Sequence, residues 1–210
     1  MSATQNHIGP SQSPCLPHPS PRQRLILASA SPRRRELLAQ LISGFDIVAA
    51  EVTEHEDPAT DPRVMVAHNA ALKADWVAER HPEAVVLGAD TTVFIGERVL
   101  NKPAGAAEAR AMLRELSGRT HTVFTGLALR CGQSGLRLEA RVSSEVTFKP
   151  LEEALIEAYL AKVHTLDKAG GYSIQEHGEM IVASRRGSLS NIIGLPLEET
   201  KELLVRARVL

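Results

Sequence analysis

Aromatic side chains are scarce in this chain: Phe, Trp and Tyr together make up 3% of its 210 residues. Its core must therefore be built from Leu, Val, Ile and Ala. A platform of rings for stacking nucleic-acid bases is excluded as a main design. Charge of one sign is missing as well. The formal net charge is −1, without the broad basic surface of a general DNA or RNA binder. A polyphosphate ligand has to be met by a local cluster of basic residues. There are two cysteines. Cys15 lies in a Pro/Ser-rich head and Cys131 precedes a turn, so they are poor partners for a structural disulfide, and their number fits a reducing cytoplasm. No apolar run approaches the ~20 residues of a membrane span, and the N-terminus lacks the apolar stretch of a signal peptide. What is present is ordinary for a soluble globular protein: 43% hydrophobic and 23% charged residues, in a length that suits one α/β domain or a compact two-lobed one.

The pattern divides the chain into residues 1–22, read as a flexible Pro-, Ser-, Gln- and His-rich tail, and a single domain over 23–210. Leu25–Ala28 is an apolar run with the look of a first strand. Ser31 then caps a helix that Pro32 opens and Glu36–Leu41 continue. Phe45–Ala50 is expected to be a second strand. Asp61-Pro62 opens an Ala-rich helix reaching about Arg80. Ala84–Asp90 reads as a buried strand ending in a carboxylate, and Thr92–Leu100 as a separate hairpin around Gly96-Glu97. A helix over Ala106–Leu116, strands over His121–Arg130 and Leu136–Phe148, and a helix over Leu151–Ala161 follow. Asp167–Gln175 is a Gly-containing loop, Met180–Ala183 a short strand and Leu197–Val209 a closing helix. No internal repeat is visible.

Four constellations and two separate lysines carry chemistry. Ser29, Ser31, Arg33, Arg34 and Arg35 lie where a strand hands over to a helix. Unpaired N–H groups at that helix start, hydroxyl donors and guanidinium forks together suit an anion, and polyphosphate above others. The plainer reading is a capped helix with a solvated basic turn. Asp90, at the end of a buried strand, can hold Mg²⁺ and orient or deprotonate a water, or merely satisfy local amides. Glu51–Asp57 (EVTEHED) supplies four acids, one or two of which could share a hard metal with Asp90 while the rest are solvated. Zinc is disfavoured, because no second His or Cys stands at ligand spacing from His55. Lys73 and Lys102 could reach phosphate oxygens or simply face solvent. In Asp167–Gln175, small residues admit a close ligand, Tyr172 could pack or donate a hydrogen bond, and the Gln175 amide suits the edge of a pyrimidine.

Taken in order, these pieces resemble the Maf family of nucleoside triphosphate pyrophosphatases. The resemblance runs from about Leu25 to Leu204. It includes LILASASPRRRELL at 25–38, Glu51 and Glu54, Ala71–Ala74, VLGADTTV at 86–93 and Lys102-Pro103. It continues through SGRTHTVFTGLAL at 117–129, DKAGGYSIQ at 167–175 and NIIGLPLEET at 191–200. Each block alone is weak; all of them in this order are specific.

The resemblance implies an elongated, two-lobed α/β fold of the Maf/inosine-triphosphatase type, with a mixed sheet and a central cleft. It implies hydrolysis of a nucleoside triphosphate to the monophosphate and pyrophosphate with Mg²⁺ or Mn²⁺, in a cytoplasmic homodimer without a stable nucleic-acid partner. By position, Asp90, Glu54 and Lys102 fall on catalytic positions, with Glu54 and Asp90 also metal-associated. Ser29, Ser31, Arg33, Arg34, Lys73, Thr91 and Gln175 fall on substrate-binding ones. Arg33, Thr91 and Gln175 match the dTTP/UTP branch of the family. Asn101, Ser173, Glu176 and the Arg185-Arg186 segment depart from its usual pattern, near the base-binding side. The alternatives are a 7-methyl-GTP or modified-nucleotide pyrophosphatase, and a nucleic-acid-binding regulator of septation.

Overall fold

The computed structural model describes residues 23–57 and 59–210. The tail read over 1–22, Cys15 included, lies outside the described residues. Seven strands form one mixed sheet in the order β2-β1-β3-β5-β6-β7, with β4 paired to β3. β1 (Leu25–Leu27), β2 (Asp46–Ile47) and the N-terminal third of β3 (Val85–Ile95) run parallel. β4 (Arg98–Leu100), β5 (Thr120–Cys131), β6 (Leu136–Phe148) and β7 (Val182–Arg186) add antiparallel pairs. The helices are α1 (Pro32–Leu38), α2 (Pro62–Arg80), α3 (Ala106–Leu116), α4 (Glu153–Leu160), α5 (Gly178–Ile181), α6 (Leu189–Ile193) and α7 (Leu197–Arg206). The mixed α/β architecture agrees with the sequence reading. Among the described residues, no helix is long and apolar enough to cross a membrane.

The strand and hairpin expected on either side of Asp90 are one continuous element. β3 passes straight through, and β5 pairs with it from Val86 to Phe94. Asp90 is therefore mid-strand, not at a strand end. The β-branched residues Val85, Val86, Thr91, Thr92, Val93 and Ile95 favour an extended backbone along this element, and the polar pair Asp90-Thr91 interrupts only the hydrophobicity. The opposite edge of β3 matters more. β1 covers it only at Val85–Leu87 and β4 only at Val93–Ile95. Residues 88–92 face a gap there, and side chains from both faces of the strand are reached from it.

Other boundaries also moved. The second strand shrinks to Asp46–Ile47, both exposed at the sheet edge. The residues expected as a strand at 180–183 begin as the helical turn α5 and become β7 one step later. α6, capped by Ser188, was not read from the sequence.

One side of the sheet carries α2, packed on Ile26, Ala28, Val86 and Ala128 through Ala70, Ala74, Val77 and Ala78. Gly88 and Gly126 make that packing possible. A Cβ on Gly88 would stand 2.3 Å from the Ala70 carbonyl oxygen, and one on Gly126 would stand 2.4 Å from that of Val66. The α2 backbone thus rests directly on the sheet, which aims its polar side chains at the gap beside β3. On the other side, Leu25, Leu27, Leu87, Leu127 and Leu129 pack with α1 and α7. A further cluster lies beyond the gap, around α3, α4 and the far ends of β3, β5 and β6.

Inside that cluster His121 is 2% exposed, meets Tyr172 Oη at 2.8 Å, and stands edge-on to Phe148 and Tyr172. Burial pulls its imidazole down to about 4 and pushes the Tyr172 phenol up. An unfolded histidine titrates near 6.5. Between these values the unfolded chain binds the extra proton, so stability is lost as pH falls from about 6.5 to about 4, by at most about 3 kcal/mol. Urea unfolding at pH 7 and pH 4.5 should show the loss, and His121→Gln should lose less. Equal losses would remove His121 as the cause.

Candidate active site

The gap beside β3 opens into a cleft of about 370 Å³, lined by every residue that the family resemblance put on a catalytic or substrate-binding position: Ser29, Ser31, Arg33, Arg34, Glu54, Lys73, Asp90, Thr91, Lys102 and Gln175. Its first wall is the β1–α1 turn. The Ser31 hydroxyl accepts a hydrogen bond from the Arg34 N–H at 3.4 Å and sets the start of α1. The first turn of α1 contains no acid and carries three arginines, against the preference of a helix N-terminus for negative charge. Such a conflict is common where a site is prepared for an anion.

Two of these arginines are held by the protein. Arg34 donates from Nε to the Gly194 carbonyl at 2.9 Å, and to Ser29 Oγ and Thr91 Oγ1 at 3.2 and 3.0 Å. Burial pulls its guanidinium below the ordinary value, while the Asp90 and Glu54 charges pull it back up. Arg33 pairs with the Asp167 carboxylate at 2.7 Å and reaches the Asp167 carbonyl at 3.2 Å. Arg35 is exposed and does not line the cleft.

The floor is acidic. Lys73 is 8% exposed, and its ammonium donates to Glu54 Oε2 at 2.6 Å and to Asp90 Oδ1 at 2.8 Å. Among the four acids after the second strand, Glu54 alone lines the cleft; Glu51, Glu56 and Asp57 are exposed. The two carboxylates are pushed apart electrostatically. Burial raises Asp90, and Lys73 and Arg34 only partly offset it, so the group ends above the usual carboxylate range. Burial also acts to raise Glu54, but the Lys73 charge and hydrogen bond, with Lys102 assisting, outweigh it and leave Glu54 below that range. Of the pair, Asp90 is the better proton acceptor and Glu54 the one that stays charged.

Two hard oxygen donors arranged around a positive charge fit a divalent cation in character. Among the described residues no third His, Cys, Asp or Glu joins them as a metal cluster. A metal here would draw its remaining ligands from phosphate oxygens and water, as Mg²⁺ commonly does.

The far wall is the 165–176 segment with Lys102 and Gln175, both exposed. Asp167 braces it. Burial pushes the Asp167 carboxyl up, but bonds from Lys168 and Arg33 outweigh burial and bring it down to about 2. Asn101, Ser173 and Glu176 also brace this wall. The Asn101 carbonyl accepts from the Gly170 N–H at 3.2 Å and its side chain accepts from Thr92 at 3.1 Å. Ser173 exchanges hydrogen bonds with the Tyr159 hydroxyl through its own N–H and C=O, and its Oγ accepts from the Glu176 N–H. Glu176 pairs with Lys168 at 3.3 Å. Tyr172 lines the cleft, but its hydroxyl is engaged with His121 Nε2 at 2.8 Å.

Some contacts in the site were not read from the sequence. Thr91 holds Arg34 and meets Thr125 Oγ1 at 3.0 Å, tying α1 to the sheet. Gly194 supplies a carbonyl for Arg34, and Asp167 the partner of Arg33. Asn69 stands one helical turn before Lys73 and is 2% exposed. Its signal was an amide on the otherwise apolar stripe of α2, four positions from the lysine.

The family model described as "Maf-like protein" matches residues 24–207. A dTTP/UTP pyrophosphatase of Myxococcus xanthus is 50% identical over 170 residues, covering 81% of this chain and 85% of that protein. One from Akkermansia muciniphila is 47% identical over 160 residues, covering 76% and 84%. One from Bacillus cytotoxicus is 44% identical over 153 residues, covering 73% and 79%. A match through nearly all of the sheet and both walls of the cleft, with relatives this similar, means that the chain belongs to the Maf-like protein family.

Proposed function

We propose that this protein hydrolyses dTTP and UTP, and modified pyrimidine nucleotides of the same shape, to the nucleoside monophosphate and pyrophosphate. The observation that carries the reading is the Asp90–Lys73–Glu54 triad facing the arginine-bearing start of α1 across one cleft. The relatives' own activity, dTTP/UTP pyrophosphatase, supports the substrate class.

In this reading the triphosphate lies along the first wall. Ser29, Ser31, Arg33 and Arg34 meet its oxygens, and Lys102 reaches them from the far wall. Asp90 takes a proton from a water that attacks the α-phosphorus in line. The bond from that phosphorus to the α–β bridging oxygen breaks, and pyrophosphate leaves with the bridging oxygen. The basic residues stabilise charge on the leaving group, so the site works by placement and electrostatics. Glu54 and Asp90 would hold Mg²⁺ or Mn²⁺, which when bound supplies neutralisation of phosphate charge. Gln175, exposed on the far wall, offers its amide to the pyrimidine edge. A buried, free Cys131 accords with a cytoplasmic setting for such an enzyme.

Pyrophosphate release should be measured across canonical, modified-pyrimidine and 7-methylguanosine triphosphates, with Mg²⁺ and Mn²⁺ compared. Pyrimidine triphosphates are expected to lead. A lead by 7-methyl-GTP would overturn the substrate assignment, and no turnover of any nucleotide would overturn the reaction.

A further inference from the structure

Resting on that reading, we propose that Asn69 is the positioning residue that fixes Asp90 and the Glu54 loop in one frame. The Asn69 carboxamide pairs with the backbone of His55 in both directions: its Oδ1 accepts from the His55 N–H at 2.8 Å, and its Nδ2 donates to the His55 carbonyl at 2.9 Å. Nδ2 also donates to Asp90 Oδ2 at 3.2 Å. An amide has two N–H donors and one carbonyl, and all are engaged.

This arrangement needs an amide of this length. The residue beside Glu54 is gripped through its backbone, so the loop carrying that carboxylate is held from α2 at a second point besides the Glu54–Lys73 pair. Asp90 is gripped at both oxygens, Oδ1 by Lys73 and Oδ2 by Asn69, one helical turn apart. The carboxylate plane is thereby fixed relative to the cleft. Aspartate at 69 could still accept from the His55 N–H but would have nothing to donate to Asp90. Leucine would fill the space and make none of the three bonds. Supporting contacts of this kind are commonly worth about 10–100-fold in activity.

The test compares wild type with Asn69→Leu and Asn69→Asp, using UTP turnover, calorimetric binding of a non-hydrolysable α,β-imido UTP analogue, and thermal unfolding. Both variants are expected to lose about 10–100-fold in kcat while KM and analogue affinity stay within about 3-fold, because no phosphate contact is removed. A purely structural role would lower the melting temperature and leave the kcat of the folded protein unchanged; that result overturns the proposal. So would kcat within about 3-fold of wild type in both variants, or a loss confined to KM. A wild-type protein that releases no pyrophosphate fails the reaction itself, and is told apart by needing no variant.

Discussion

Asp90→Asn should cut kcat for UTP by at least about 10³-fold, through loss of the proton acceptor and of one metal-binding oxygen together. Asparagine keeps the shape but cannot accept the proton of the attacking water. It also has a single acceptor oxygen, where Asp90 now accepts from both Lys73 and Asn69. Stability should not follow activity down. Burial holds the Asp90 carboxyl above its ordinary range, so its contribution to stability is complete only at acid pH, below the unfolded value, and is lost as pH rises through the folded one. Burial disfavours the charged form of this carboxyl, and an amide in its place carries no such cost. The mismatch with Asn69 Nδ2 works in the other direction. A melting temperature no more than about 3 °C below wild type is therefore expected, with near-complete loss of turnover. Near-normal activity at saturating metal would refute the role given to Asp90. A collapse of the fold would refute the account of its burial.

The second large effect belongs to a residue with no functional group. Gly88→Ala places a methyl 2.3 Å from the Ala70 carbonyl oxygen and 3.0 Å from Ala74 Cβ. What blocks it is helix backbone, which cannot rotate aside as a side-chain tip can. α2 has to lift from the sheet. Overpacking of this kind costs about 1–3 kcal/mol or more, and for a domain of this size 3 kcal/mol corresponds to a fall of about 6–12 °C in melting temperature. The same lift carries Lys73 and Asn69 away from Asp90, and about 1 Å of misplacement can cost on the order of 10²-fold in rate. Gly105→Ala is the control, since a Cβ there meets nothing within 4 Å. Differential scanning calorimetry and UTP turnover on both variants check the prediction. Equal behaviour of the two would show that α2 is not seated as described.

Much of the site was legible because its parts are local. Ser31-Pro32 is a cap and a first-turn proline wherever it occurs, so the anion-facing helix start could be read from a few residues. Lys73 was legible as an odd charge on an Ala-rich helix, but not its partner. That Lys73 bridges Glu54 and Asp90 depends on the rotation of α2 over the sheet, which two distant glycines set. Asn69 was missed for the same reason: an amide on a buried stripe acquires meaning only when the loop across from it is placed. The mid-strand position of Asp90 was hidden because polar residues at 90–92 resemble a strand end, while their backbone is kept extended by pairing with residues some 35 positions later. Thr91 was read as a ligand contact and does line the cleft; that its hydroxyl also engages Arg34 is a contact that no local pattern announces.

The sheet's ends restrict how copies of this chain can meet. One margin is β2, two residues long, and the other is β7, five residues with Ser184, Arg185 and Arg186 exposed. Two β7 strands laid side by side would bring like guanidinium charges into cross-strand range, an arrangement that repels. Sheet growth through two β7 margins is thereby discouraged.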